Sequence, residues 1–466
     1  MYKLMEKKDR DKYRLLKYLQ SSEKQLFPTA ELTEKLNLSE VKISELVDDL
    51  INDFSSNWPE LQANEQLFRN NFNEVIKGPN YSVEPFFKLF IQRSILYQLA
   101  RDLFYERDIS FEKYAAKHNR SISTIMRLWR YLKDVFLEFD IRIIKREGIF
   151  MMDGPEEKIR YLFFTLFKDS GKKVPSLVQR YHLDYVNDSK AIPATQMKID
   201  NLNLMLNIAL TRIRKEKFIE KEMDFFYIMN KLTNEEAFYE IFAPFYAKKL
   251  PVDRLETEIN FLYFFINTWS ILEHKVVASA STYLTPKIIS QKDFTICNNI
   301  LFEVGNAHQI NLNPESYFYL IANMILMLRK QAVFGSLVDL RGNFTNTDEY
   351  DAFMQKLPPS VLEQDAISTE QLFILYYPLI SENQSMIKVL LMSRYGFENI
   401  KLLQKKITSF LHHSVEFVQL LQHKPDLIIT DYYYENDEVP IYYITPFPRN
   451  RELERLARFI DETIET

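Results

Sequence analysis

The chain has 466 residues, a formal net charge of −5 and 46% hydrophobic residues, enough apolar mass for several cores and too much for wholesale disorder. An acidic whole molecule confines any nucleic-acid contact to a local basic surface. A single cysteine, Cys297, excludes an intramolecular disulfide and cysteine-based zinc or cluster sites within the chain, and only eight glycines, none clustered, exclude phosphate-cradling P-loop and Rossmann turns.

Residues 1–10 are charged and lead into no apolar run, so no signal peptide is expected, and the cysteine usage fits a reducing cytoplasm. No stretch reaches the ~18 apolar residues of a membrane helix; the nearest, residues 261–277, is broken by Asn267, Glu273, His274 and Lys275. Residues 12–20 read as an amphipathic helix with Leu15, Leu16 and Leu19 on one side. Thr29 is the expected N-cap of a helix over 30–36, and Ser39 that of a second with Ile43, Leu46, Val47 and Leu50 on its buried face. This is a helix-turn-helix plan, but its second helix carries Glu40, Glu45, Asp48, Asp49 and Asp53 against Lys42, so three roles stay open: support of the DNA-binding unit, contact with DNA through Lys12, Arg14 or Lys17, or contact with another protein.

Residues 84–168 repeat the plan. A long helix is expected over 85–105. Ser110 caps 111–117, His118, Asn119 and Arg120 make the turn, and Ser121 caps a helix to about Phe139 with Ile125, Leu128, Leu132 and Val135 inward. A hairpin over 141–152 turns at Gly148 and forms a wing. Between Lys113 and Arg146 nine basic residues face three acidic ones, a local charge of +6 on an acidic chain. A phosphate grip needs such an island. Ser123, Thr124 and Arg127 are placed to meet base edges, Arg130 and Lys133 phosphates, and Arg142, Lys145 and Arg146 on the wing an adjacent backbone or minor groove.

From about 170 to 380 the chain is helical and aromatic. Leu204-Met205-Leu206-Asn207 with Arg214 matches Leu320-Ile321-Ala322-Asn323 with Lys330, so two related bundles divided near 283 are expected. Residues 381–385 form a polar linker. Strands over 387–392, 415–420, 427–430 and 441–445 alternate with helices over 398–410 and 451–464, the pattern of a small α/β domain. The histidines show no metal spacing and the serines no nucleophile elbow, so neither an enzyme nor a cofactor is expected.

The order of parts, and above all the segments "FEKYAAKHNRSISTIMRLWRYLKDVFLEFDIRI" and "GIFMMDGPEEKIRYLFF" within residues 111–164, resembles the Mga/AtxA family of virulence regulators of low-GC Gram-positive bacteria. The resemblance implies a mainly α, multidomain chain: a first helix-turn-helix over 1–60, a main winged helix-turn-helix over 61–168, two phosphotransferase-system regulation domains (PRDs) over 169–282 and 283–380, and an α/β domain over 386–466 similar to the EIIB subunit of sugar transport systems. It implies a cytoplasmic regulator that binds promoter-region double-stranded DNA, self-associates as a homodimer or larger, responds to carbohydrate status and meets the phosphotransferase carriers, away from any membrane. The repeat-equivalent positions are Asn207 and Asn323 where PRDs hold phosphorylated histidines, which leaves His274, His308 and His182 as candidates for phosphorylation. The loop 393–396, Ser-Arg-Tyr-Gly, lacks the phosphorylated cysteine of active EIIB proteins. The competing reading is a protein-interaction scaffold with vestigial helix-turn-helix units.

Overall fold

The computed structural model describes residues 2–21, 24, 26–58, 68–71, 74–77, 83–178, 196–220, 235–247, 249–269, 292–310, 312–335, 348–363, 367–383, 387–395, 397–410, 415–432, 434, 436 and 438–464. His182, His274 and the 282/283 boundary lie outside these residues. Two compact units result: Met1–Val304 with Asn313–Gln371, and Gly305–Leu312 with Leu372–Thr466.

The first unit opens with α1 (Lys7–Ser21), whose Leu15, Leu16 and Leu19 are fully buried. Strand β1 (Leu26–Pro28) leads into α2 (Thr29–Leu36) and α3 (Glu40–Asn57). Pro28, not Thr29, occupies the N-cap; Thr29 is already helical, and its carbonyl accepts from the Thr33 hydroxyl. Ser39 caps α3 as expected, its hydroxyl accepting from the Lys42 amide, and Ile43, Leu46, Val47 and Leu50 are buried. Strands β2 (Phe68–Asn71) and β3 (Glu74–Lys77) complete an antiparallel sheet of order β1-β3-β2, with Phe27 opposite Val75. The first helix-turn-helix therefore carries a wing of its own, beyond the 1–60 range read from the sequence.

The helix expected over 85–105 is two: α4 (Val83–Arg93) and α5 (Ile95–Phe104). Ser94 breaks it with an extended ψ of 133°, and its buried hydroxyl donates to the Leu4 carbonyl. Beside the break, Arg93 on α4 pairs with Asp9 on α1 and Asp53 on α3, and Lys12 donates to Asp53 at 2.6 Å. Lys12 is thus a buried internal partner, not a DNA contact. Two of the acids of α3 have the same explanation: Asp53, and Asp49 paired with Lys8, tie α3 to its neighbours, whereas Glu45 pairs with Lys42 within the helix.

Helix α6 (Phe111–Lys117), α7 (Ile122–Leu137), the hairpin β4 (Arg142–Arg146) and β5 (Ile149–Asp153), and α8 (Glu156–Asp169) follow. Helices α9 (Gln196–Ile213), α10 (Glu235–Tyr246) and α11 (Val252–Thr268) pack beyond α8. Between them lies a buried ionic cluster. Arg160 of α8 donates to Glu156 at 3.0 Å, to Glu258 of α11 through both guanidinium ends, and to the Lys217 carbonyl. Arg212 of α9 grips both oxygens of Glu156. Glu106, just past α5 with φ +51°, lies 3.8 Å from Arg212 and 3.1 Å from Lys215.

Helices α12 (Lys292–Ala307), α13 (Pro314–Phe334), α14 (Asp348–Lys356), α15 (Pro359–Leu362) and α16 (Thr369–Asn383) continue the chain. Residues 381–383, read as linker, are the last turn of α16. The matched segments share one bond: Asn207 donates to the carbonyl of Asn203, and Asn323 to that of Tyr319, each four residues back. Their basic partners differ, since Arg214 is exposed whereas Lys330 lies over the Trp269 ring at 5.0 Å.

In the second unit β6 (Ile387–Met392), β7 (Val415–Val418), β8 (Leu427–Thr430) and β9 (Ile441–Tyr443) form a parallel sheet of order β7-β6-β8-β9. Ile387, Val389 and Leu391 alternate onto one face, where Leu403 and Ile407 of α17 (Phe397–Thr408) and Leu453, Leu456 and Ile460 of α18 (Asn450–Ile464) cover them. Among the described residues no helix is long and apolar enough to cross a membrane.

Two predictions follow from the ionic ties. Glu258→Gln strands Arg160 without a full counter-charge and is expected to cost about 3–5 kcal/mol. All three tryptophans (Trp58, Trp129 and Trp269) lie in the first unit, so their fluorescence during urea unfolding of the full chain reads this out; an unchanged midpoint would refute it. At Asp53 burial alone would raise the pKa, but the hydrogen bonds and charges of Arg93 and Lys12 outweigh it and hold the carboxyl below its ordinary value. Its contribution is therefore present above the unfolded carboxylate pKa and is lost as pH falls through the depressed folded value. Asp53→Asn should flatten the acid limb of the stability–pH curve; an identical limb would show that the pair does not contribute.

Candidate nucleic-acid interface

The second helix-turn-helix is set by local capping. Ser110 accepts from the Lys113 amide at 3.2 Å and Ser121 from the Thr124 amide at 3.1 Å. Between them Asn119 takes φ +49°, a left-handed turn residue of a type that tolerates it. Burial and then the Lys117 charge lower the His118 pKa from the ordinary imidazole value. The Tyr114 hydroxyl donates to Asp102 at 2.5 Å and fastens α6 to α5.

Helix α7 buries Ile125, Trp129, Leu132, Val135 and Phe136. At ~100° per residue these occupy one side, and Ile122, Ser123, Met126, Arg127, Arg130, Lys133, Asp134 and Leu137 fall on the opposite arc of roughly 140°. All eight are exposed. Arg127, Arg130 and Lys133 make no ion pair among the described residues, whereas Lys113, Arg120 and Lys117 are engaged by Asp108, Glu6 and Gln98. The first turns, 122–130, hold no acid. Thr124 departs from expectation: it is half-buried at the edge of the arc, and its hydroxyl lies 2.9 Å from that of Ser121, within the cap.

The wing pairs Arg142 with Asp153 through Arg146 with Ile149. Glu147 and Gly148, with φ +50° and +87°, make the two-residue turn that suits a right-twisted hairpin. Strand alternation divides its cations. Lys145 shares a face with buried Ile143 and lies over the Phe150 ring at 5.1 Å; Arg142 and Arg146 are on the other face, and Arg142 has Asp153 directly opposite. Phe150 packs 4.8 Å from Trp129 and 6.2 Å from Phe111, so one aromatic group joins wing, α7 and α6. Behind the wing, Gly154 leaves no room for a side chain: a Cβ would sit 2.5 Å from the Asp140 carbonyl oxygen.

Residues 79–167, from just before α4 nearly to the end of α8, match the family model of the Mga helix-turn-helix domain. The chain carries a Mga-family helix-turn-helix domain. No curated protein matches the chain. The Mga domain includes all the basic candidates on α7 and the wing, and also α8 with Glu156 and Arg160 of the ionic cluster. Sequence reading overlooked Ile122 and Met126 on its exposed arc. At helical period from Ile125 and Leu132, Met126 falls on the outer side, whereas Ile122, seven residues before buried Trp129, falls at the border of the buried face.

Gly154→Ala should shift the wing and destabilise the first unit by on the order of 2 kcal/mol, measurable by tryptophan-monitored unfolding. A variant as stable as the parent would mean that the chain relaxes at Asp140 without strain.

Proposed function

We propose that the chain is a transcription regulator that binds promoter-region double-stranded DNA through α7 of its Mga domain, with Arg127 towards base edges and phosphates taken by Arg130 and Lys133. The observation that carries this is the arc itself: three cations without ion-pair partners among the described residues, exposed on the capped second helix of a helix-turn-helix. Arg142 and Arg146 extend the grip on the wing's outer face, and Lys145 contributes from its inner edge. A second copy would present a second α7 to the same duplex face. The protein acts in the cytoplasm and is not an enzyme.

The helical region behind the Mga domain serves as two PRD-like sensing modules, and the parallel sheet as an EIIB-like module, which would link DNA binding to carbohydrate status through the phosphotransferase carriers. In this reading neither asparagine of the matched segments accepts phosphate. Asn207 instead secures the chain after α8 by donating to the Pro175 carbonyl at 3.0 Å, and Asn323 is buried. His308, half-buried in the turn after α12, remains a candidate for phosphorylation. In the loop after β6 the Ser393 hydroxyl donates to Asp431 at 2.6 Å and the Arg394 amide to the same carboxylate, a closed turn suited to interaction and not to phosphotransfer.

The test is the triple change of Arg127, Arg130 and Lys133 to Ala. Their exposure predicts an unaltered fold. Duplex binding near 0.1 M salt should weaken by about 10²–10³-fold, and the log–log salt slope should fall by roughly 0.9 per lost contact. A folded triple variant with the parent's affinity and slope in a salt-titrated shift assay would favour the scaffold reading.

A further inference from the structure

Three apolar side chains stand on the exposed arc of α7: Met126 between Lys133 and Arg130, Ile122 at the edge beside buried Trp129, and Leu137 in the last turn, 57% exposed. Ile122 is 44% and Met126 43% exposed. Helical spacing puts Met126 one turn from Ile122, Ser123 and Arg130. Ile122 and Met126 both lie outside the buried set of α7, which is Ile125, Trp129, Leu132, Val135 and Phe136. Their position in the first two turns is the one a recognition helix presents to base edges.

The surroundings select the occupant. The arc's Arg127, Arg130 and Lys133 match a polyanion and would oppose an apolar protein surface, whose approach would bury those charges without partners. Within a polyanionic duplex, the major groove offers one apolar group among the four ordinary bases, the 5-methyl of thymine. Met126, unbranched and polarizable, adapts to such a methyl, and Ile122 extends the patch towards the helix N-terminus.

Resting on the reading of α7 as the groove-entering helix, we propose that Met126 and Ile122 are specificity-determining residues that contact thymine 5-methyl groups in the major groove. Recognition by this helix then combines phosphate anchoring by the cations with an apolar preference for thymine at the positions below Met126. Removing a contacted methyl should weaken binding about fourfold, the value of one buried methyl-sized group.

The experiment uses the full chain and a duplex selected by it from a random-sequence pool, resynthesised with deoxyuridine in place of every thymidine. The base pairs and phosphates are kept and only the methyls are lost. The parent should bind the thymidine duplex at least about fourfold more tightly, with the same salt slope for both. Met126→Ala, exposed and expected to fold, should bind the two duplexes almost equally while keeping that slope, with Ile122→Ala intermediate. Equal binding of both duplexes by the parent, with a steep salt slope, would overturn the methyl contact and leave the DNA-binding reading intact. A folded Met126→Ala that still discriminates would overturn it also, by placing the contact elsewhere. Absence of any salt-dependent binding by the parent would overturn both.

Discussion

Arg160 has no exposed surface, and the first unit is organised around satisfying its charge. A guanidinium taken out of water is tolerable only if opposing charges and acceptors surround it. Glu258, Glu156 and the Lys217 carbonyl do so here. Each carboxylate is in turn held: Glu156 by the Nε and Nη2 of Arg212, Glu258 by the amide of Ile219. With Glu106 and Lys215 the cluster counts three cations and three anions. Because its members come from α8, α9, α11 and the turns after α5 and α9, the last helix of the Mga domain cannot turn against the helices beyond it without separating buried charges.

The same principle recurs on a smaller scale at the N-terminus. Arg93 and Lys12 meet Asp9 and Asp53 at the junction of α1, α3 and α4. Acidic residues that made the first helix-turn-helix look hostile to DNA are partly consumed in this junction. The contrast with α7 is one of charge placement. In the first helix-turn-helix acids and bases face each other across helices, and their fields cancel at short range. On α7 the cations point away from the core with no acid in the first turns, so their field extends outward, where a duplex phosphate lattice can meet it.

Much of the architecture was legible from the chain alone because it depends on neighbours in sequence. Ser39, Ser110 and Ser121 cap because a hydroxyl there reaches an amide three residues on. Ile125, Leu132 and Val135 face inward because helical period puts them together, and Gly148 turns the wing because its backbone allows a positive φ. The cationic arc of Arg127, Arg130 and Lys133 follows from the same period. What the chain concealed depends on partners distant in sequence. Arg160 and Glu258 are 98 residues apart, and no spacing rule pairs them. The helix read as continuous through Ser94 breaks there because a hydroxyl finds the Leu4 carbonyl, 90 residues away. Lys12, a cation that could serve as a phosphate ligand by composition, is withdrawn from solvent by Asp53, and the strand over 74–77 is set by its pairing with residues 26–28 on one side and 68–71 on the other. Local periodicity and capping thus determined which helices form and which faces they present, because both are short-range. Which charges are buried, and so which remain for a ligand, only the tertiary structure decided, because a charge's partner is chosen by distance in space.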